Sequence, residues 1–202
     1  MNIILGTAQF DLKYGIKNKY QKLNNKKITN IIGTAEKFGI DMLDTADSYG
    51  DAHKILSQFN LSKFKIISKI TYKKNLTKIE FDDYISNILK RLKIKKIYSI
   101  LLHNPNKFKI ADLENYFLYL SNLKNKGIIS KIGFSIYDPS EFYIYSKYFL
   151  PDIVQGPLNI FDRRFIKSNF LNELKSKKIE FHARSIFLQG LVLMKSRNKY
   201  FD

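Results

Sequence analysis

The sequence predicts an α/β chain folded as an incomplete (β/α)₈ barrel of the TIM type, with about seven parallel strands inside and helices outside. Three observations predict it. Strand-like and helix-like segments alternate along all 202 residues, the pattern of a parallel sheet covered by helices. Each strand run is closed by a polar residue, in order Thr7, Asp44, Lys69, His103, Ser135, Gln155 and Arg184. Barrel enzymes place their chemistry at that end of the strands. Neither G-x-G-x-x-G nor G-x-x-x-x-G-K-[ST] occurs, so the phosphate loops of an open doubly wound sheet are missing.

The strand runs are Ile3–Leu5, Met42–Leu43, Lys65–Ile67, Ile97–Leu102, Ile132–Phe134, Ile153–Val154 and Ile179–Phe181. Between them apolar residues recur at helical spacing. Tyr84, Ile85, Ile88, Leu89 and Leu92 share one face, and Leu113, Tyr116, Phe117, Leu120 and Leu123 share another. Thr77-Lys-Ile-Glu80 reads as a capping box. Asp138-Pro139-Ser140-Glu141 supplies an N-cap, a Pro at N1 and a Glu at N3. Gly39 and Gly127, each followed by Ile, stand where helices should stop. Only 18 residues follow Arg184, too few for a helix, an eighth strand and a closing helix. A barrel typically needs about 250 residues. The expectation is one domain over residues 1–202, truncated at its C-terminal end. Its unpaired edges at Ile3–Leu5 and Ile179–Phe181 would be open to pairing with another chain.

Composition removes several function classes. The chain has no Cys, which excludes a disulfide framework, a thiolate nucleophile and a Cys-ligated metal. Three scattered His residues without H-x-x-x-H spacing support no metal site. The opening apolar run is too short for a secretory leader. No stretch reaches the ~18 apolar residues of a membrane span. A cytoplasmic protein is expected. The net charge of +17 invites a nucleic-acid reading, but the Lys residues are scattered, as in Lys63/Lys65, Lys73/Lys74 and Lys177/Lys178, and form no basic-aromatic block. No nucleic-acid partner is expected.

The sharpest motif is Asp44-Thr-Ala-Asp-Ser-Tyr49-Gly. Lys69 ends the next strand and His103 the one after it. Adjacent strand ends lie about 5 Å apart, so these four groups can converge. Such a group suits reduction of a carbonyl by hydride. The phenol of Tyr49 would give its proton to the carbonyl oxygen. The Lys69 ammonium would lower the Tyr49 pKa, and Asp44 would hold Lys69. Neutral His103 would orient the oxygen. His53 and His182 are assigned to structure or surface. A Schiff base on Lys69 is the rival chemistry, and a carboxylate beside the amine argues against it.

On these residues the chain resembles the aldo-keto reductase family, from Leu5-Gly-Thr-Ala-Gln-Phe10 to about Leu193. The Asp44–Gly50 segment is similar to the family's D-T-A-x-x-Y-G signature. Leu101–Pro105 matches its L-L-H-x-P piece, with weaker matches at Gly133–Ser135 and Val154–Asn159. The resemblance implies an NADP(H)-dependent oxidoreductase acting on an aldehyde or ketone, with Asp44, Tyr49, Lys69 and His103 as the catalytic group. It implies that Ser135 and Gln155 hold the nicotinamide carboxamide. Gly6, Thr7, Asp44, Arg184 and Ser185 would complete the cofactor site. Ala183–Gly190 looks like reductases encoded among bacterial surface-sugar enzymes. Two residues depart from the pattern: Arg184 where an aromatic commonly stacks on the nicotinamide, and Ile136 where an Asn often follows the Ser. The family's last strand and helix, which grip the cofactor phosphates, have no counterpart here. The expectation is weak cofactor binding, with an inactive barrel remnant in a binding role as the alternative.

Overall fold

A computed structural model describes residues 3–15 and 23–193. Its seven strands are β1 (Leu5–Gly6), β2 (Met42–Asp44), β3 (Lys65–Ile70), β4 (Ile97–His103), β5 (Ile129–Ser135), β6 (Ile153–Pro157) and β7 (Glu180–Arg184). They form one sheet in sequence order, β1 to β7, and every neighbouring pair is parallel. The sheet curls as an incomplete TIM barrel. Among the described residues, β1 and β7 each have a single strand neighbour.

The helices are α1 (Asn25–Lys37), α2 (Ala52–Leu56), α3 (Lys78–Leu92), α4 (Ile110–Asn125), α5 (Pro139–Tyr145), α6 (Arg164–Lys167) and α7 (Phe170–Ser176). None of the described helices is long and apolar enough to cross a membrane. The expected punctuation is in place. Thr77 and Glu80 close a reciprocal capping box on α3, and Asp138 and Glu141 close another on α5. Each satisfies backbone donors that a helix start leaves free. Gly39 and Gly127 adopt φ of +69° and +67°, the left-handed backbone that ends α1 and α4 at least cost.

The apolar faces read from sequence are buried. Phe81, Tyr84, Ile85, Ile88 and Leu92 of α3 and the corresponding stripe of α4 join one large core between sheet and helices. Inside the barrel a smaller layer gathers Met42, Ile67, Leu101 and Ile153 with Ile4 and Tyr98. Gly133 lies between Leu101 and Ile153 in register. A Cβ there would sit 1.9 Å from the Ile153 carbonyl oxygen, so the close approach of two strands requires glycine. Below this layer, Lys131 pairs with Glu180, and the Tyr98 hydroxyl also bonds that carboxylate. Above it lie the polar strand ends.

Every strand ends later than its apolar run, and three also begin elsewhere. β7 begins at Glu180 because Lys178 still has a left-handed φ of 57° and the Ile179 N–H bonds Leu174 O. β1 is confined to Leu5–Gly6, the residues facing Leu43 and Asp44. β5 starts three residues earlier than its apolar run, at Ile129, which pairs with Ile97.

Candidate active site

The end of β2 is fixed from both sides. The Thr7 N–H and hydroxyl both donate to the Asp44 carbonyl, at 2.9 and 3.0 Å. Beyond it, the Thr45 N–H donates to Ile67 O (2.8 Å) and the Asp47 N–H to Lys69 O (2.9 Å). These bonds carry the Asp44–Gly50 segment along β3 before it turns. The Asp44 carboxylate then faces inward. One oxygen accepts from Lys69 Nζ at 2.5 Å, the other from Gln155 Nε2 at 3.0 Å. Lys69, only 1% exposed, also donates to Thr45 O at 3.2 Å. The Ser135 hydroxyl donates to Gln155 Oε1 at 3.2 Å. Ser135, Gln155, Asp44 and Lys69 thus form one connected chain across the mouth.

Tyr49 sits on a clamped turn. Arg91, from α3, donates to Asp47 Oδ1 at 3.1 Å and to the Gly50 carbonyl at 2.8 Å. The Tyr84 hydroxyl donates to Asp47 Oδ2 at 2.8 Å. Asp11 accepts the Asp51 N–H at 2.8 Å. A Cβ on Gly50, whose φ is +59°, would meet that Asp11 carboxylate at 2.3 Å. The turn directs the Tyr49 ring inward, where Lys69 Nζ lies 5.2 Å from its centroid. The His103 ring meets it edge-on at 6.2 Å. His103 Nδ1 lies 3.3 Å from the Ser48 hydroxyl. The four residues singled out from sequence are therefore brought together.

The electrostatics correct one expectation. The Tyr49 phenol is pushed above its ordinary pKa, not below it. Burial is the largest cause, the Asp44 carboxylate adds to it, and Arg184 opposes it. Lys69 does not lower it as expected because its charge is engaged at contact distance by Asp44. Lys69 itself is pulled below its ordinary value by burial, against the hold of Asp44. His103 is pushed down to about 4 by burial, with Lys69 and Arg184 acting in the same direction. It is neutral near pH 7. The tautomer in which Nδ1 accepts from Ser48 carries its ring N–H on Nε2.

Beside these groups opens a cavity of about 490 Å³ between β1 and β7, within the size range of small-molecule sites. Gly6, Thr7, Asp44, Tyr49, Gln155, Arg184 and Ser185 all touch it. Ser135 reaches it only through Gln155. Thr7 is fully buried with its hydroxyl committed to Asp44. A Cβ on Gly6 would meet nothing within 4 Å. Ser185 holds a positive φ of 60°, and its carbonyl accepts from Asn159 Nδ2 at 3.3 Å. The Arg184 guanidinium lies 4.2 Å from the Tyr137 ring centroid and donates to Ile136 O at 3.2 Å. His53 is fully buried and bonded to the Ser68 hydroxyl at 3.0 Å. His182 is 9% exposed and bonded to Glu180.

Ser48, Asp47, Tyr84 and Arg91 were missed in sequence. Ser48 and Asp47 lie inside the motif itself. Tyr84 reads as an apolar-face residue, and nothing in its spacing shows that its hydroxyl reaches across to Asp47.

The aldo/keto reductase family model matches residues 2–200, and the chain belongs to that family. The sequence has no significant match among curated proteins. Among solved structures, it is similar to the holo form of an aldo-keto reductase from Bacillus halodurans (TM-score 0.78, 17% identity, 98% of this chain and 66% of that one). It is also similar to a glycerol dehydrogenase from Gluconobacter oxydans (0.75, 21%, 97% and 63%). A Bombyx mori aldo-keto reductase in complex with NADP matches at 0.66 and 18%, over 91% and 62%. The chain therefore spans 62–66% of the length of these three structures. At such identities the likeness speaks to the fold.

Proposed function

We propose that this chain is an NADP(H)-dependent reductase of aldehydes or ketones, with Tyr49 as the proton donor. The observation that carries the reading is the convergence of Tyr49, Lys69, Asp44 and His103 at one barrel mouth. The residues present suit a nicotinamide. Its carboxamide offers donors and an acceptor, and Ser135 and Gln155 present a hydroxyl and an amide that complement them. Gln155 is already bonded to Asp44 and Ser135 to Gln155, so the site is preformed and polar on that side. When bound, the cofactor supplies hydride to the carbonyl carbon.

The chain's own residues handle the proton. Tyr49, with its raised pKa, carries its hydroxyl proton throughout the neutral range and transfers it to the carbonyl oxygen. The bond that breaks is Tyr49 O–H, and the bond that forms is the alcohol O–H. The phenolate left behind has its ring centroid 5.2 Å from Lys69 Nζ. His103 Nε2–H donates to the same oxygen and sets its direction toward Tyr49. The contact between Lys69 and Asp44 opposes the Schiff-base alternative, because a paired ammonium lacks the free electron pair that nucleophilic attack needs.

The test is loss of NADPH absorbance with a reactive aldehyde such as nitrobenzaldehyde. The wild-type chain should turn over. Tyr49→Phe should lower kcat about a hundredfold to ten-thousandfold and leave NADPH binding, read by protein fluorescence, intact. Equal turnover by the two proteins would overturn the role of Tyr49. No consumption of NADPH with any of a broad aldehyde and ketone panel would overturn the reductase reading.

A further inference from the structure

The mouth holds more positive charge than its chemistry uses. The Asp44 carboxylate is balanced by Lys69, and His103 is neutral. Arg184, which lines the same cavity as Asp44 and Tyr49, is left over. Arg91 and Arg164 each have a carboxylate partner, but Arg184 has none among the described residues. Its guanidinium is held in place by the Tyr137 ring on one face and by the Ile136 carbonyl at one nitrogen. Five N–H donors in a fixed fork exceed what one carbonyl can satisfy. A positioned guanidinium with free donors and no counter-charge, in a partly desolvated cavity, is a receptor for an oxyanion.

We propose that Arg184 anchors an oxyanion group, a carboxylate in its simplest form, carried by the carbonyl substrate. This rests on the reductase reading given above and narrows its substrate class to carbonyl compounds that bear a negative charge. The position supports a substrate rather than a purely structural role. Arg184 ends β7 and reaches over β6 to the loop after β5, so its fork overlooks the mouth. There it acts on Tyr49, Lys69 and His103 through space, opposing positive charge on the latter two. An anion seated on Arg184 would neutralise that repulsion, whereas a neutral substrate would leave it in place.

The test compares para-carboxybenzaldehyde with its methyl ester, which keeps the shape and removes the charge, using the full chain and NADPH. The wild type should favour the acid in kcat/KM by about tenfold or more, the worth of a charge-assisted hydrogen-bonded pair. In Arg184→Met that ratio should fall to about one, and Arg184→Lys should keep part of it, because a point charge replaces the fork. Equal use of acid and ester by the wild type would overturn the proposal. So would a large loss of NADPH affinity in Arg184→Met with the ratio unchanged, since the anion would then be a cofactor phosphate. If neither aldehyde is reduced, the broad carbonyl panel decides the reductase reading, and titration with benzoate decides the anion site. Saturable binding to wild type but not to Arg184→Met supports it, and its absence overturns it.

Discussion

His53 shows how a buried titratable group ties this fold to pH. It is fully buried in α2, bonded to Ser68, and its other ring nitrogen has no partner. Burial, aided by Arg91, pushes its pKa from 6.5 down to about 4. Between those values the unfolded chain takes up a proton that the folded His53 refuses, so stability falls as pH drops through that window. Above pH 6.5 both states are neutral and the residue contributes no pH dependence. The full penalty, on the order of 3 kcal/mol, is reached below pH ~4. Urea unfolding between pH 8 and 4.5 should show this slope, and His53→Gln, which cannot titrate, should flatten it. An identical slope in the two proteins would remove His53 from the account. Asp44, Lys69 and His103 were legible in sequence because each closes a strand run, where the backbone fixes the side-chain direction, and Tyr49 because it completes the Asp44–Gly50 motif. The bond from Gln155 to Asp44 was not legible, since it joins residues 111 positions apart. Nor was the sign of the Tyr49 shift, which depends on how deeply the ring is buried and on Lys69 being committed elsewhere.

At the scale of elements, α3 supports the site as well as the core. Its start is set by the Thr77–Glu80 box, and Thr77→Ala should cost about 1 kcal/mol in chemical denaturation, the usual worth of an N-cap. Its last turn carries Arg91, which grips the Tyr49 turn at Asp47 and Gly50. Arg91 does not line the mouth cavity and acts by positioning. Arg91→Met should lower kcat about tenfold or more through a misplaced proton donor. The KM for NADPH should hold and the circular dichroism should stay native. Arg91→Lys restores a charge for Asp47 but not the second bond, so its kcat should fall between. An unchanged kcat in a folded Arg91→Met protein would dismiss the clamp. The helix was readable because periodicity and punctuation agree within a few residues of one another. The limits of β1 and β7 were not, because they are set by partners on other strands and, for β7, by the left-handed turn at Lys178.

At the scale of the molecule, the feature with most consequence is that, among the described residues, the sheet has two ends. The Glu180 N–H donates to Asp152 O, and the Arg184 carbonyl accepts from the Leu158 N–H, so the even-numbered residues of β7 bond toward β6. Alternation then turns the N–H and C=O of Phe181 and Ala183 to the free side of β7. On β1 the bond from the Thr7 N–H to Asp44 O turns Gly6 to its free side by the same rule. Unpaired parallel edges invite another strand, and we propose that the chain associates with a further copy through them at raised concentration. Sedimentation velocity should show a concentration-dependent rise in mass for the wild type. Ala183→Pro removes a donor from the free side of β7 without taking a ladder bond from β6, so it should weaken association and leave the fold intact. A wild-type chain that stays monomeric across the whole range, or associates equally well with proline at 183, would show that β7 is not the contact.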